Sequence, residues 1–296
     1  MPTASTLGYR IKSVLLALAA FGLMILLPNM VSGVILGVIE SVALRTGGYE
    51  ALAEAYGFLI DNLNLFSALV YALFGLPVFA WVLVMRRHGR GATQMVPSVE
   101  RLEQVSFCVR GVARSAWFDA AFLGIGMQFV TTFIMILVMV LLPAAMEEYQ
   151  ELVGDSGLLD YGIMWFISTI VLPPLVEETG FRGLGLTYLK RAGVPFVVAN
   201  VLQALAFGLF HGNLVQGIYT FVLGLFMGYV VHRSGSVVPA MLMHAVYNLM
   251  GTLGSDVLYT LVPWLPFWVE LAVGAVLSLG AMISLHDRGG RPAASS

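Results

Sequence analysis

Polar residues are so sparse along most of this chain that its apolar runs set the architecture. Eight runs are long enough to cross a bilayer: about 13–37, 62–85, 120–145, 159–189, 194–211, 214–232, 237–254 and 266–285. A helix rises about 1.5 Å per residue, so about 20 residues cross roughly 30 Å of hydrocarbon. The pattern predicts an all-α, polytopic integral membrane protein with about eight transmembrane helices around an intramembrane polar site. The first run follows Arg10 and Lys12 and is free of charge from Ser13 to Ile39. A signal-peptide core is only about 7–15 residues long, so this run reads as an uncleaved helix.

Composition agrees. Of 296 residues, 59% are hydrophobic and 11% charged, with a mean hydropathy of +0.88. A soluble domain carries about 25% charged residues, so a soluble core of this size is excluded and the lipid bilayer is the surrounding partner. The net charge of -2 gives no reason to expect nucleic acid. Cys108 is the only cysteine, which rules out an intramolecular disulfide and offers no redox or metal motif.

The chain divides into residues 1–119, with two membrane helices and an Arg-rich segment; residues 120–286, with helices three to eight; and a short disordered tail, 287–296. Within the Arg-rich segment, LEQVSFCVRGVARSAWF (102–118) reads as an amphipathic helix on the inner leaflet. Thirteen of the fifteen Lys and Arg residues fall on the side that holds both termini; Arg45 lies on the other side and Arg182 inside a run. Acidic residues such as Glu147, Glu148, Glu151, Asp155, Asp160 and Asp256 fall in the opposite loops. The positive-inside rule then puts both termini in the cytoplasm, as in a bacterial plasma membrane.

Chemistry comes from polar groups inside the apolar runs, where they are expensive and by default functional. Three clusters stand out. In PPLVEETGFRG (173–183), Glu178 and Arg182 are four apart on one helix face, in the favourable order. Glu177 faces about 100° away, so one carboxylate can be paired while the other stays free. Pro173 and Pro174 remove two backbone donors and leave carbonyls open nearby. In FGLFHGN (207–213), His211 closes an apolar helix. In PAMLMHAVYN (239–248), His244 and Asn248 share a face and need partners on another helix, Glu177 and His211 being natural ones. Counted along straight helices from the inner ends, Glu177 is about 20 Å deep, His211 about 24 Å and His244 about 10 Å, so tilt or a break at the prolines must bring them level.

Other polar features have plainer readings. Gly217, Gly224 and Gly228 form a small-residue stripe for helix packing. Glu147 and Glu148 lack a following arginine and read as solvated. His88, His232 and His286 sit beside charges at run ends as interfacial anchors.

EExxxR, FxxxH and HxxxN, in this order on successive helices, resemble the three motifs of the CPBP family, the CAAX-protease and bacteriocin-processing (Abi-type) intramembrane endopeptidases. The resemblance covers about residues 160–250. It implies an eight-helix core and cleavage near a substrate's C-terminus or beside its membrane span. Glu177 matches the family's catalytic Glu, Glu178 and Arg182 its second Glu and Arg, Phe207 and His211 the second motif, and His244 and Asn248 the third. The implied substrate is a membrane-associated protein or peptide.

Two chemistries stay open. In one, Glu177 helped by His211 activates water, while His244 and Asn248 hold the oxyanion. In the other, Glu177, His211 and His244 bind Zn²⁺ and Glu178 is the base, since two His and one carboxylate form a legitimate catalytic zinc set. Two rival functions also remain, a proton-coupled carrier and a non-catalytic scaffold or bacteriocin-immunity protein. Convergence of the polar residues on one point favours the protease. The oligomeric state is not legible.

Overall fold

The computed structural model describes residues 4–92 and 112–288; Cys108, the 102–111 part of the amphipathic stretch and the tail from 289 lie outside the described residues. Those described are helical throughout, joined by short turns. The first helix, α1, is Ala4–Asp61, which contains Pro28 and breaks at Gly48, where φ is 67°. It runs well past the expected 13–37, because the residues after Ile39 still favour helix up to Gly48, which takes a positive φ that glycine tolerates and kinks the run before it continues to Asp61. Helix α2 is Leu63–Ala92 and α3 is Arg114–Leu141. Helix α4, Pro143–Gly154, starts with a proline in its first turn, where no backbone donor is needed.

Helix α5 spans 163–191 and changes its winding on the way. Wide i→i+5 turns occupy Phe166–Val171 and Thr179–Leu186, with an ordinary helical segment, Leu172–Glu178, between them. The remaining helices are α6, Phe196–Phe210; α7, Leu214–Ser234; α8, spanning 238–261 with a wide turn at Met250–Gly254; and α9, Phe267–Arg288. The Asn213 side chain caps α7, accepting from the backbone N–H of Val215 at 2.9 Å and of Gln216 at 3.2 Å. Gly235 closes it at φ 69° in the left-handed region.

Among the described residues five helices are long and apolar enough to cross a membrane: Leu7–Asp61, Leu63–Met85, Arg114–Leu141, Leu214–Ser234 and Phe267–Asp287. The other three expected spans fall on α5, α6 and α8. Helix α6 has 15 residues, about 22 Å of rise against roughly 30 Å of hydrocarbon, and α5 and α8 are interrupted. The chain is an integral membrane protein on this evidence, and the three helices that are short or interrupted are those that carry the polar motifs.

Packing brings α5 to the centre. Phe21 and Met24 of α1 seat directly on Gly185 and Gly180 of α5, and Val176 seats on Gly75 of α2. Helices α6 and α7 also approach closely: a side chain at Gly208 would meet the Gly217 carbonyl at 2.8 Å. Phe181, Phe207, Leu223, Met227 and Met243 are fully buried and tie α5, α6, α7 and α8 into one core.

Candidate functional site

The local backbone of α5 explains the site. Pro173 and Pro174 have no N–H, so the Thr169 carbonyl, four and five residues earlier, has no helical donor from either. The side-chain amide of Asn248 on α8 donates to it at 2.9 Å. An orphan carbonyl created by the proline pair thus docks the third motif against the first.

The two glutamates then part company. Glu178 is fully buried, and its Oε1 accepts from Arg182 Nη1 at 2.9 Å and pairs with His244 Nδ1 at 3.0 Å. Arg182 is equally buried; its Nη2 donates to the Gly224 carbonyl at 3.3 Å and its guanidinium lies over the Phe207 ring at 4.3 Å. Gln203 on α6 donates to the same Gly224 carbonyl at 2.8 Å and to Asn200 at 2.8 Å. Glu177, also buried, accepts a hydrogen bond on Oε1 from the Tyr71 hydroxyl of α2 at 2.5 Å. Its Oε2 has no hydrogen-bond partner and stands 3.9 Å from His244 Nε2.

Glu177, His211, His244 and Asn248 all line one cavity of about 530 Å³, together with Tyr71 and Phe207. Glu178 and Arg182 lie behind its wall. His211 closes α6 with its Nδ1 2.8 Å from the Phe207 carbonyl. That carbonyl can only accept, so Nδ1 carries the proton and Nε2 of the neutral ring is an acceptor. The Phe207 ring stands edge-on between the two imidazoles, 4.8 Å from His211 and 5.9 Å from His244.

The structure therefore brings Glu177, Glu178, Arg182 and His244 into one contact group and sets His211 and Asn248 on the same cavity wall. Glu177 and His211 are the partners expected for His244 and Asn248; the hydrogen bonds go instead to Glu178 and the Thr169 carbonyl, while Tyr71 holds Glu177 and the Phe207 carbonyl holds His211. Straight helices would hold these residues at different depths, yet Glu177, His211 and His244 all line the one cavity, and α5 is not a straight helix, its wide turns using more residues per turn.

Tyr71, Thr169 and the Gln203–Gly224 bracket escaped the sequence reading. Asn200 and Gln203, three apart in an apolar run, carried a signal for themselves; a tyrosine in an apolar run carries none. Gly224 and Gly228 take on a sharper role than packing. A side chain at Gly224 would meet Arg182 Nη2 at 3.1 Å, and one at Gly228 would collide with Asn200. Glu147 and Glu148 are exposed, as solvated residues are.

The donor set has the chemistry of a zinc site. Each imidazole has one nitrogen engaged, His211 by a carbonyl and His244 by a carboxylate, which is how ligating histidines are oriented. The geometry does not fit. Among the described residues no three of His, Cys, Asp and Glu converge on a point. For Glu177 Oε2 and His244 Nε2, bonds of about 2.0–2.1 Å across 3.9 Å would subtend about 140° at the ion, against about 109° for a tetrahedral site. A water about 2.8 Å from both atoms subtends about 90° and is accommodated.

Residues 160–250 match the family model described as Type II CAAX prenyl endopeptidase Rce1-like, which is consistent with the CPBP family. No curated protein and no solved structure matches the chain.

Proposed function

We propose that this chain, whose residues 160–250 form an Rce1-like type II CAAX prenyl endopeptidase domain, hydrolyses a peptide bond in a membrane-associated protein or peptide, with Glu177 activating the attacking water. Rce1-like proteins are intramembrane proteases, which supports a protease here. The observation that carries the finer reading is the unpartnered Oε2 of Glu177, buried yet facing a polar cavity 3.9 Å from His244 Nε2.

In this reading a water between those atoms gives its proton to Glu177 Oε2 as its oxygen attacks the scissile carbonyl carbon. Tyr71 holds the other carboxylate oxygen and so fixes which lone pair faces the water. Glu178 holds His244 through Nδ1 and so turns Nε2 toward the developing oxyanion, to which an N–H there donates. The second N–H of Asn248 adds a donor while the first stays on Thr169. When the C–N bond breaks, the proton on Glu177 passes to the departing amine, and the base is restored. His211 Nε2 is an acceptor on the same wall and relays or holds that proton. No Ser or Cys nucleophile is needed.

The test is a cleavage screen of membrane peptides with purified full-length protein, with new termini mapped by mass spectrometry. His244→Ala and Asn248→Ala should each lose about 10²–10³ in rate, the scale of a lost oxyanion donor. If both variants, and His211→Ala with them, cleave as the parent does, the cleavage does not come from this site and the proposal fails.

A further inference from the structure

The cavity opens at one end of the bundle. Asn64 and Ser67 lie in the first turns of α2, Gln216 in the first turn of α7 and Leu159 in the turn before α5. Met135 and Thr252 lie on the later turns of α3 and α8, which run the opposite way and end there. The bases cluster at the other end. Arg10 and Lys12 start α1, Arg114 starts α3, Lys190 and Arg191 finish α5, and Arg233 nearly finishes α7. Between Arg114 and Arg182 there is no Lys or Arg at all, and Arg182 is spent inside the core on Glu178. Arg45 is the exception on the cavity side.

Lys and Arg near span ends mark the cytoplasmic face. We infer that the cavity admits its substrate from the extracytoplasmic face, and that the substrate is a membrane-associated protein presenting an extended, unwound segment on that side rather than a cytoplasmic C-terminal tail. The inference rests on the peptidase reading above for its word "substrate", but the direction of access stands on cavity and charge alone.

Glu177 lies 14 residues into α5 from the open end, a climb of about 20 Å. A strand advances about 3.3 Å per residue, so roughly six extended residues span that depth. A helical segment would not serve, because its peptide groups already bond to one another. The hydroxyl and amide groups of Ser67, Thr169 and Gln216 along the wall offer an extended backbone the partners it loses on leaving water.

The test uses the full chain in a bacterial host with Cys108→Ser, so that one introduced thiol reports. Ser67→Cys and Gln216→Cys each place a thiol in the cavity; Arg191→Cys marks the basic end. A charged, membrane-impermeant maleimide is applied to spheroplasts and to inverted vesicles. Both cavity thiols should label at least ten-fold faster in spheroplasts, and the Arg191→Cys thiol ten-fold faster in inverted vesicles. Faster labelling of the cavity thiols in inverted vesicles, or no labelling from either side, overturns the inference. Cleavage of an impermeant quenched peptide, compared with Glu177→Gln, is measured in parallel. Labelling from outside with no Glu177-dependent cleavage would sink the peptidase and leave the access route standing. Cleavage confined to inverted vesicles would do the reverse.

Discussion

Glu177 and Glu178 are adjacent buried carboxylates, each with an unpartnered Oε2; the difference lies in what holds each Oε1 and in the cavity, which Glu177 lines and Glu178 does not. Glu178 neutralises a buried guanidinium and orients an imidazole. Removing one partner of such a pair leaves the other charge stranded, at a cost of about 3–5 kcal/mol. Glu178→Gln should therefore lower the unfolding temperature in detergent, whereas Glu177→Gln, which strands no cation, should leave it nearly unchanged; differential scanning fluorimetry of the two variants checks this. Arg182→Lys should also destabilise, because an ammonium cannot reach both Glu178 and Gly224 while lying flat on Phe207. Tyr71→Phe removes one hydrogen bond to a charged group, worth about 1.5–3 kcal/mol. If Tyr71 holds Glu177 in its reactive pose, kcat should fall by about ten-fold or more with KM little changed. Equal kcat in the two proteins would reduce Tyr71 to packing. The i,i+4 rule made the Glu178–Arg182 pair readable from spacing alone. Tyr71 was not, because 106 residues separate it from Glu177 and nothing local distinguishes it from an interfacial tyrosine.

Helix irregularity, at the next scale up, is where the chemistry sits. The five long spans carry no motif, while α5, α6 and α8 are short or rewound and carry all three. A regular helix satisfies its own backbone and has nothing to offer a site; Pro173 and Pro174 free the Thr169 carbonyl, and Asn248 takes it. Hydropathy marked where these segments run, since it responds to composition. It overstated their regularity, since changes of winding depend on contacts with other helices. The consequence of the proline pair was readable, because a missing donor is a local fact. The glycines of α7 illustrate the converse: their spacing announced close packing but not the guest. Gly224→Ala puts a methyl 3.1 Å from Arg182 and 3.2 Å from Ala204, and overpacking of this kind costs about 1–3 kcal/mol. Its unfolding temperature should fall and activity should fall with it. Gly280→Ala, where nothing lies within 4 Å of the added carbon, is the matched control and should do neither.

The whole molecule is an apolar bundle with a polar cavity let into one end and its basic residues gathered at the other. Composition alone established the membrane class, and the ordered motifs located the domain that the family match then delimited at 160–250. Neither could locate the cavity, which is lined by parts of seven helices far apart in the chain. The central claim is that Glu177, a buried carboxylate with one unpartnered oxygen facing the cavity, activates water here. The most direct test is the initial rate of peptide hydrolysis by the purified full-length chain and by Glu177→Gln, each with excess chelator and with their unfolding temperatures matched. The account predicts that the parent cleaves undiminished by chelation and that Glu177→Gln loses a factor of about 10² or more. A Glu177→Gln protein that cleaves at the parent's rate, or a parent silenced by chelation and restored by zinc, would contradict it.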